Sequence, residues 1–219
     1  MSVGVSVFGN GGMNTDYGDG GIPLFNAGSG RDTGLNPQQA FIVPTFAFKI
    51  NEQHSIGIGA NIVAQGFKAF GLDAFTGGPF GPTAPYFSTS PGDVTNNGTD
   101  WAWGFGVRVG WLGQINDMVS LGAYYSSKTW MQEFDDYAGL FAENGDFDIP
   151  ENFGIGIAIK ATPDLVIAAD VQWINYGDVD SIANGIGNFY ACPALVMMAG
   201  GNPMTGNPNA CLGGSDGPG

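Results

Sequence analysis

From Asp100 to Trp111 the chain alternates without a slip. Trp101, Trp103, Phe105, Val107, Val109 and Trp111 take the odd positions, and Ala102, Gly104, Gly106, Arg108 and Gly110 the even ones. Period two is the period of a strand. One face is bulky and aromatic at both ends; the other is almost bare glycine with a single arginine. Aromatic rings near each end of a ~10-residue apolar span mark a strand that crosses a bilayer, with the rings at the two membrane–water interfaces. A reversal at 114–118 leads to a second alternating arm. There Val119, Leu121, Ala123 and Tyr125 oppose Ser120, Gly122, Tyr124, Ser126 and Lys128, which completes a hairpin.

The same alternation recurs along the chain. Val3, Val5 and Val7 alternate with Gly4, Ser6 and Phe8 in 2–13, ahead of the run Gly9-Asn10-Gly11-Gly12. In 39–50, Ile42, Phe46, Phe48 and Ile50 oppose Phe41, Val43, Thr45, Ala47 and Lys49, and Pro44 predicts a local bulge because it removes a ladder donor. Ile56, Ile58, Ala60 and Ile62 alternate with Gly57, Gly59 and Asn61 in 55–71. Phe153, Ile155, Ile157 and Ile159 alternate in 153–160, and Leu165, Ile167, Ala169, Val171 and Trp173 in 165–176. The connections between these seven predicted strands alternate long and short. Outer-membrane barrels follow that rule, with long extracellular loops and short periplasmic turns. The charges agree, since Lys49, Arg108, Lys128, Lys160 and Asp170 all fall opposite the bulky face. The predicted fold is all-β, an antiparallel up-and-down transmembrane β-barrel.

The long connections carry aromatic residues. Phe75, Phe80, Tyr86 and Phe87 sit among prolines and glycines in 72–99, and exposed rings need a cover. Phe134, Tyr137, Ala138 and Phe141 in 131–150 fall at helical spacing and predict a short amphipathic helix. The stretches 14–38 and 178–219 read as irregular loops.

Composition sharpens this reading. Among 219 residues, 38 are glycine, 12% are charged, and twenty Asp+Glu stand against six Lys+Arg for a formal charge of −14. So few charges suit a protein whose outer surface need not meet water. The acidic balance argues against nucleic acid as a partner, because phosphate recognition needs clustered Lys and Arg. No window approaches the ~20 apolar residues of a spanning helix. The start, MSVGVSVFGNGG, has neither a basic region nor a cleavage site for export. The end, CLGGSDGPG, is loop-like. The expectation is therefore that 1–219 is a partial barrel domain, lacking its first strands on one side and its closing strands on the other.

Catalysis finds no support. His54 is the single histidine and lies in a short turn, so no Ser/His/Asp or Cys/His constellation forms. No cofactor motif is present, for the Gly9–Gly12 run has no following Lys-Ser/Thr. The acidic residues Asp16, Asp19, Glu133, Asp135, Asp136, Asp146 and Asp148 have no calcium-loop spacing, so no metal is assigned. Cys192 and Cys211 share the last loop and are expected to form a disulfide in an oxidising compartment.

Four segments, GNGGMNTDY (9–17), PTFAFKIN (44–51), GLFAENGDFDIPENFGIGIAIKATPDL (139–165) and AADVQWINY (168–176), resemble the FadL-type outer-membrane transporters of hydrophobic compounds. The likeness runs over nearly the whole chain with the motifs in order. It implies a barrel of about fourteen strands, of which this chain supplies the third to the ninth. It also implies an N-terminal hatch, which is expected to be missing here, and a capture groove built by extracellular loops. Exit is implied sideways where the third strand kinks, at Phe8, Gly9, Asn10, Gly11 and Gly12. The expected function is passive uptake of hydrophobic molecules, long-chain fatty acids or aromatic hydrocarbons, across the bacterial outer membrane, with no chemistry done. The candidate capture residues are Phe75, Phe80, Tyr86, Phe87, Phe134, Tyr137, Leu140 and Phe141. Serine at positions 134 and 141 is expected to weaken capture and leave the barrel folded. Expected partners are the hydrophobic solute, outer-membrane lipid and lipopolysaccharide, and the remainder of the barrel. A porin for polar solutes, an outer-membrane lipase and a soluble β-sandwich binding protein are the alternatives.

Overall fold

The computed structural model describes residues 1–10, 13–77 and 85–218. Eleven strands form two sheets: β1 (Ser2–Gly9), β2 (Thr15–Tyr17), β3 (Thr33–Leu35), β4 (Gln38–Lys49), β5 (His54–Phe67), β6 (Ala69–Phe70), β7 (Asp100–Gln114), β8 (Val119–Ser126), β9 (Trp130–Met131), β10 (Asn152–Thr162) and β11 (Leu165–Ile174). The large sheet runs β1-β4-β5-β7-β8-β10-β11, each neighbour antiparallel to the next in chain order, with β9 continuing along β7. This is the predicted up-and-down meander with its seven main strands. Its ends do not meet, so β1 and β11 are edges and the barrel is open. Among the described residues no helix is long and apolar enough to cross a membrane.

Register follows the alternation of the sequence. Ile56 faces Trp111, Ile58 faces Val109 and Ile62 faces Phe105 across β5 and β7, so the bulky residues share one side. That side is open: Trp101, Trp103 and Phe105 are each more than half exposed. The opposite side holds Ala102, Asn61, Val63 and Gln65, all at 1% exposure or less. All five tryptophans lie on the outward side. Trp101, Trp103 and Trp111 stand on β7, Trp130 pairs with Phe105, and Trp173 pairs with Phe153. Glycine on the inner side makes room for the larger rings there. A Cβ at Gly154 would come within 2.5 Å of the Tyr124 ring on the neighbouring strand.

Pro44 does not bulge the sheet. The register from Ile42↔Ile62 to Thr45↔Gly59 is unshifted, and the β1 ladder runs straight through Val5↔Pro44. Proline lacks one donor, and the strand bridges the gap without taking up an extra residue. β1 is likewise regular to its end, with Phe8 opposite Phe41 and Gly9 opposite Ala40. Asn10 adds one bond, N–H to the Gln39 carbonyl at 3.0 Å, while Gly11 and Gly12 lie outside the described residues.

Two features depart from the pattern. The loops after β1 and β5 are stitched together by a small sheet, β2-β3-β6. The segment predicted as an amphipathic helix is instead a 3-10 turn at Asp135–Tyr137 and a turn at Ala142–Gly145, where Glu143 (φ 52°) and Asn144 (φ 62°) are left-handed. Gly139 between them lies too close to the Ser90 carbonyl for a side chain, which draws the chain off a helical path. The last loop carries short helices at Asp180–Ala183, Ile186–Phe189 and Pro193–Met198 rather than running irregularly.

Candidate functional site

The long connections all leave the same end of the sheet and close over it. Their centre is Phe67, the last residue of β5, which meets Tyr137 edge-on at 4.9 Å and Phe141 edge-on at 4.7 Å, with Phe134 at 5.8 Å. Phe67, Ala69, Ala102, Phe134, Tyr137 and Phe141 form one buried cluster. Such aromatic pairs add about 0.5–1.5 kcal/mol each beyond area burial. The Tyr137 hydroxyl donates to the Gly98 carbonyl at 2.6 Å and accepts from the Ala69 N–H at 3.1 Å. Burial raises the Tyr137 phenol above its ordinary range, so it stays protonated and able to donate.

Beside this cluster opens a groove of about 1050 Å³. Its apolar lining includes Leu35, Phe67, Leu72, Leu140, Phe141 and Phe147, with Ile174, Tyr176 and Ile182 from the end of β11 and the last loop. A second cavity of about 360 Å³ lies deeper, inside the sheet, lined by Phe8, Phe41, Asn61, Arg108, Tyr124 and Ser126 among others. Arg108 makes no ion pair among the described residues, whereas Asn61 donates to Ser126 Oγ at 2.9 Å.

The predicted capture residues divide into three groups. Leu140 and Phe141 line the groove. Phe134 and Tyr137 are fully buried, so they build the wall behind it and touch no solute while the loops keep this packing. Phe75 and Phe87 pack against each other at 6.3 Å, with Phe25 and Phe189 beside them, in a side lobe that reaches the groove through Phe25. Tyr86 is exposed next to that lobe, and Phe80 lies outside the described residues. The lobe contains the Cys192–Cys211 disulfide, whose sulfurs sit against the Tyr86 carbonyl. Sequence reasoning passed over Phe67, Phe147, Ile174 and Ile182. Phe67 and Ile174 close strands already recognised, so the signal available was an inward-facing ring or aliphatic residue in the last strand position before a long loop.

An acidic group and one lysine tie the loops to the sheet. Lys128 Nζ pairs with Asp148 at 3.1 Å and Asp178 at 4.0 Å, and donates to the Asp178 carbonyl at 2.9 Å. Burial alone would lower the Lys128 ammonium. The hydrogen bond and charge of Asp148, with Asp178 and Asp146 behind it, outweigh that and hold it above its ordinary value. Burial, and then the neighbouring Asp148 charge, pushes the Asp146 carboxyl up to about 6.

The model of a family described as outer membrane protein transport protein (OMPP1/FadL/TodX) matches residues 1–198. Among solved structures the chain is similar to the toluene transporter TodX of P. putida, at 18% identity over 81% of this chain and 51% of that one, with a TM-score of 0.57. It is similar to the toluene transporter TbuX of Ralstonia pickettii at 17% identity, over 81% and 52%, with a TM-score of 0.59. A Pseudomonas aeruginosa FadL homologue follows at 16% identity, over 80% and 45%, with a TM-score of 0.50. At these identities the likeness is one of fold. The chain spans about half the length of these structures. No curated protein matches it.

Proposed function

We propose a function from one premise: this chain belongs to the outer membrane protein transport family (OMPP1/FadL/TodX). It is therefore a β-barrel protein of the bacterial outer membrane and a transport protein rather than an enzyme. The proposal is that it forms part of a barrel that takes up hydrophobic molecules, aromatic hydrocarbons or long-chain fatty acids, by passive diffusion. The solute enters the loop groove, moves into the cavity inside the sheet, and leaves through the wall near the end of β1, at Phe8, Gly9 and Asn10. Outer-membrane lipid and lipopolysaccharide would surround the outward face, and further strands would complete the wall beside β1 and β11.

The observation that carries this reading is the apolar groove of about 1050 Å³ abutting the inner cavity. A solute that buries ~200 Å² of apolar surface there gains about 5 kcal/mol before the cost of immobilisation. That is weak, reversible holding, which is what a passage needs. Leu140 and Phe147 face the groove and are only partly buried, so they can be changed without gutting the loop core. With Leu140→Asn and Phe147→Asn together, cells lacking their own hydrophobe transporters should take up labelled toluene or oleate about tenfold more slowly at low concentration, as expected for roughly 1.4 kcal/mol of lost holding. The heat-modifiable barrel band on gels should stay unchanged. Unaltered uptake by this double variant refutes the capture role of the groove.

A further inference from the structure

The groove and the inner cavity share five lining residues: Asn10, Ile149, Pro150, Asn152 and Gln172. The two spaces therefore meet across them, and these residues form the part of the junction that this sheet supplies. Three of the five are carboxamides, at the end of β1 and on β10 and β11. The other two, Ile149 and Pro150, belong to a strap that leaves the loop cluster and descends into β10. We propose that Ile149 sets the size of solute admitted from the groove to the barrel interior, and that Asp148 positions it. This inference rests on the uptake reading above and adds to it the residue that selects among solutes.

The strap is held rather than loose. Ile149 makes two backbone hydrogen bonds with Thr129, accepting at 2.9 Å and donating at 3.1 Å. Its side chain packs on the inward cluster of Phe41, Val43 and Val63. Next to it, Asp148 is 6% exposed; one carboxylate oxygen accepts from the Met131 N–H at 2.7 Å and the other meets Lys128 at 3.1 Å. Lys128 in turn reaches Asp178 in the last loop, and Ser181 of that loop donates to the Asp146 carbonyl. Charge-assisted bonds at such burial are the strong ones. The isoleucine is thus fixed from the β8–β9 side and from the last loop together, while its side chain stays at the junction. A side chain in that place acts by volume: one methylene at an apolar contact discriminates solutes by roughly 10-fold or more. The five shared residues carry no formal charge, while Asp148 lines the groove and Arg108 the inner cavity.

The test is initial uptake of radiolabelled toluene, with one ring, and phenanthrene, with three fused rings, by cells that express the full-length protein and lack other hydrophobe transporters. Ile149→Ala should raise the phenanthrene-to-toluene ratio about tenfold, and Ile149→Trp should lower it by a similar factor, at the low end of steric discrimination. Ile149→Leu, which keeps the volume, should leave it unchanged. Asp148→Asn keeps an acceptor for Met131 and loses the ion pair, so the ratio should move in the direction of the alanine variant. Surface levels and the folded gel band are compared in each case. Uptake by the unaltered protein with the same ratio in the alanine and tryptophan variants overturns the inference alone. Failure of the unaltered protein to take up either compound overturns the uptake reading and the inference with it.

Discussion

Tyr137 shows how a ring in a long loop can serve packing. Its side chain is fully buried against Phe67, and its hydroxyl serves the buried Ala69 N–H and the carbonyl of the exposed Gly98. Tyr137→Phe should therefore cost about 1–3 kcal/mol, because it strands the buried Ala69 donor. A lower unfolding temperature of the loop region by hydrogen exchange would record it. Phe134→Ser should do more, by leaving a hole and a polar group where the ring now sits, a cost that falls on the loop core and not on the ladders of the barrel. Phe141 differs, since its face toward the groove makes it both wall and lining. At Asp146 the sign is set by burial, which disfavours the carboxylate in the folded loop. Its contribution is complete below the ordinary carboxylate range and is lost as the pH rises through about 6. Protease cutting at the exposed Glu143–Asn144 turn should thus be slower at pH 5 than at pH 7.5, and Asp146→Asn should flatten that difference.

At the scale of elements, the seven long strands were readable because a period of two persists over eight to fifteen residues in each. The short strands were not, since two or three residues such as Ala69–Phe70 carry no period and form only because another loop lies alongside. The same limit hid half of the candidate site. Sequence marks which loops are aromatic, but whether a ring ends as wall, as lining or in the side lobe depends on contacts between loops far apart in the chain. Helical spacing in 134–141 misled for that reason: the rings are drawn to Phe67 from separate turns, and no helix is required to gather them. Along β7 the two faces make opposite demands. Val107, near the strand's middle and outward, should tolerate lysine badly, at about 2–4 kcal/mol in the bilayer. Gly110 faces inward with room for a Cβ, its nearest neighbour at 3.8 Å, and lysine there should be nearly neutral. Refolding into lipid under urea, measured for both variants, would separate them.

For the whole molecule, the loop cap and the sheet are two layers with different fastenings. The sheet is held by backbone ladders that a bilayer strengthens, because nothing there competes for the hydrogen bonds. The cap is held by rings, the Lys128 ion pairs and the Cys192–Cys211 bridge, which closes a segment of 19 residues. A bridge of that span contributes about 3 kcal/mol. Reduction should open the last loop to protease and loosen the lobe around Phe87 and Phe189, while the barrel band on gels persists. The placement of the tryptophans divides the molecule optically along the same line. Every indole looks outward, so ultraviolet emission reports on the surrounding lipid: brominated acyl chains would quench it according to depth, and a solute seated in the groove would leave it dark to the observer. Following occupancy by fluorescence would need a new indole placed on the groove wall, at Leu140 for example, against which the native five would stand as a constant background.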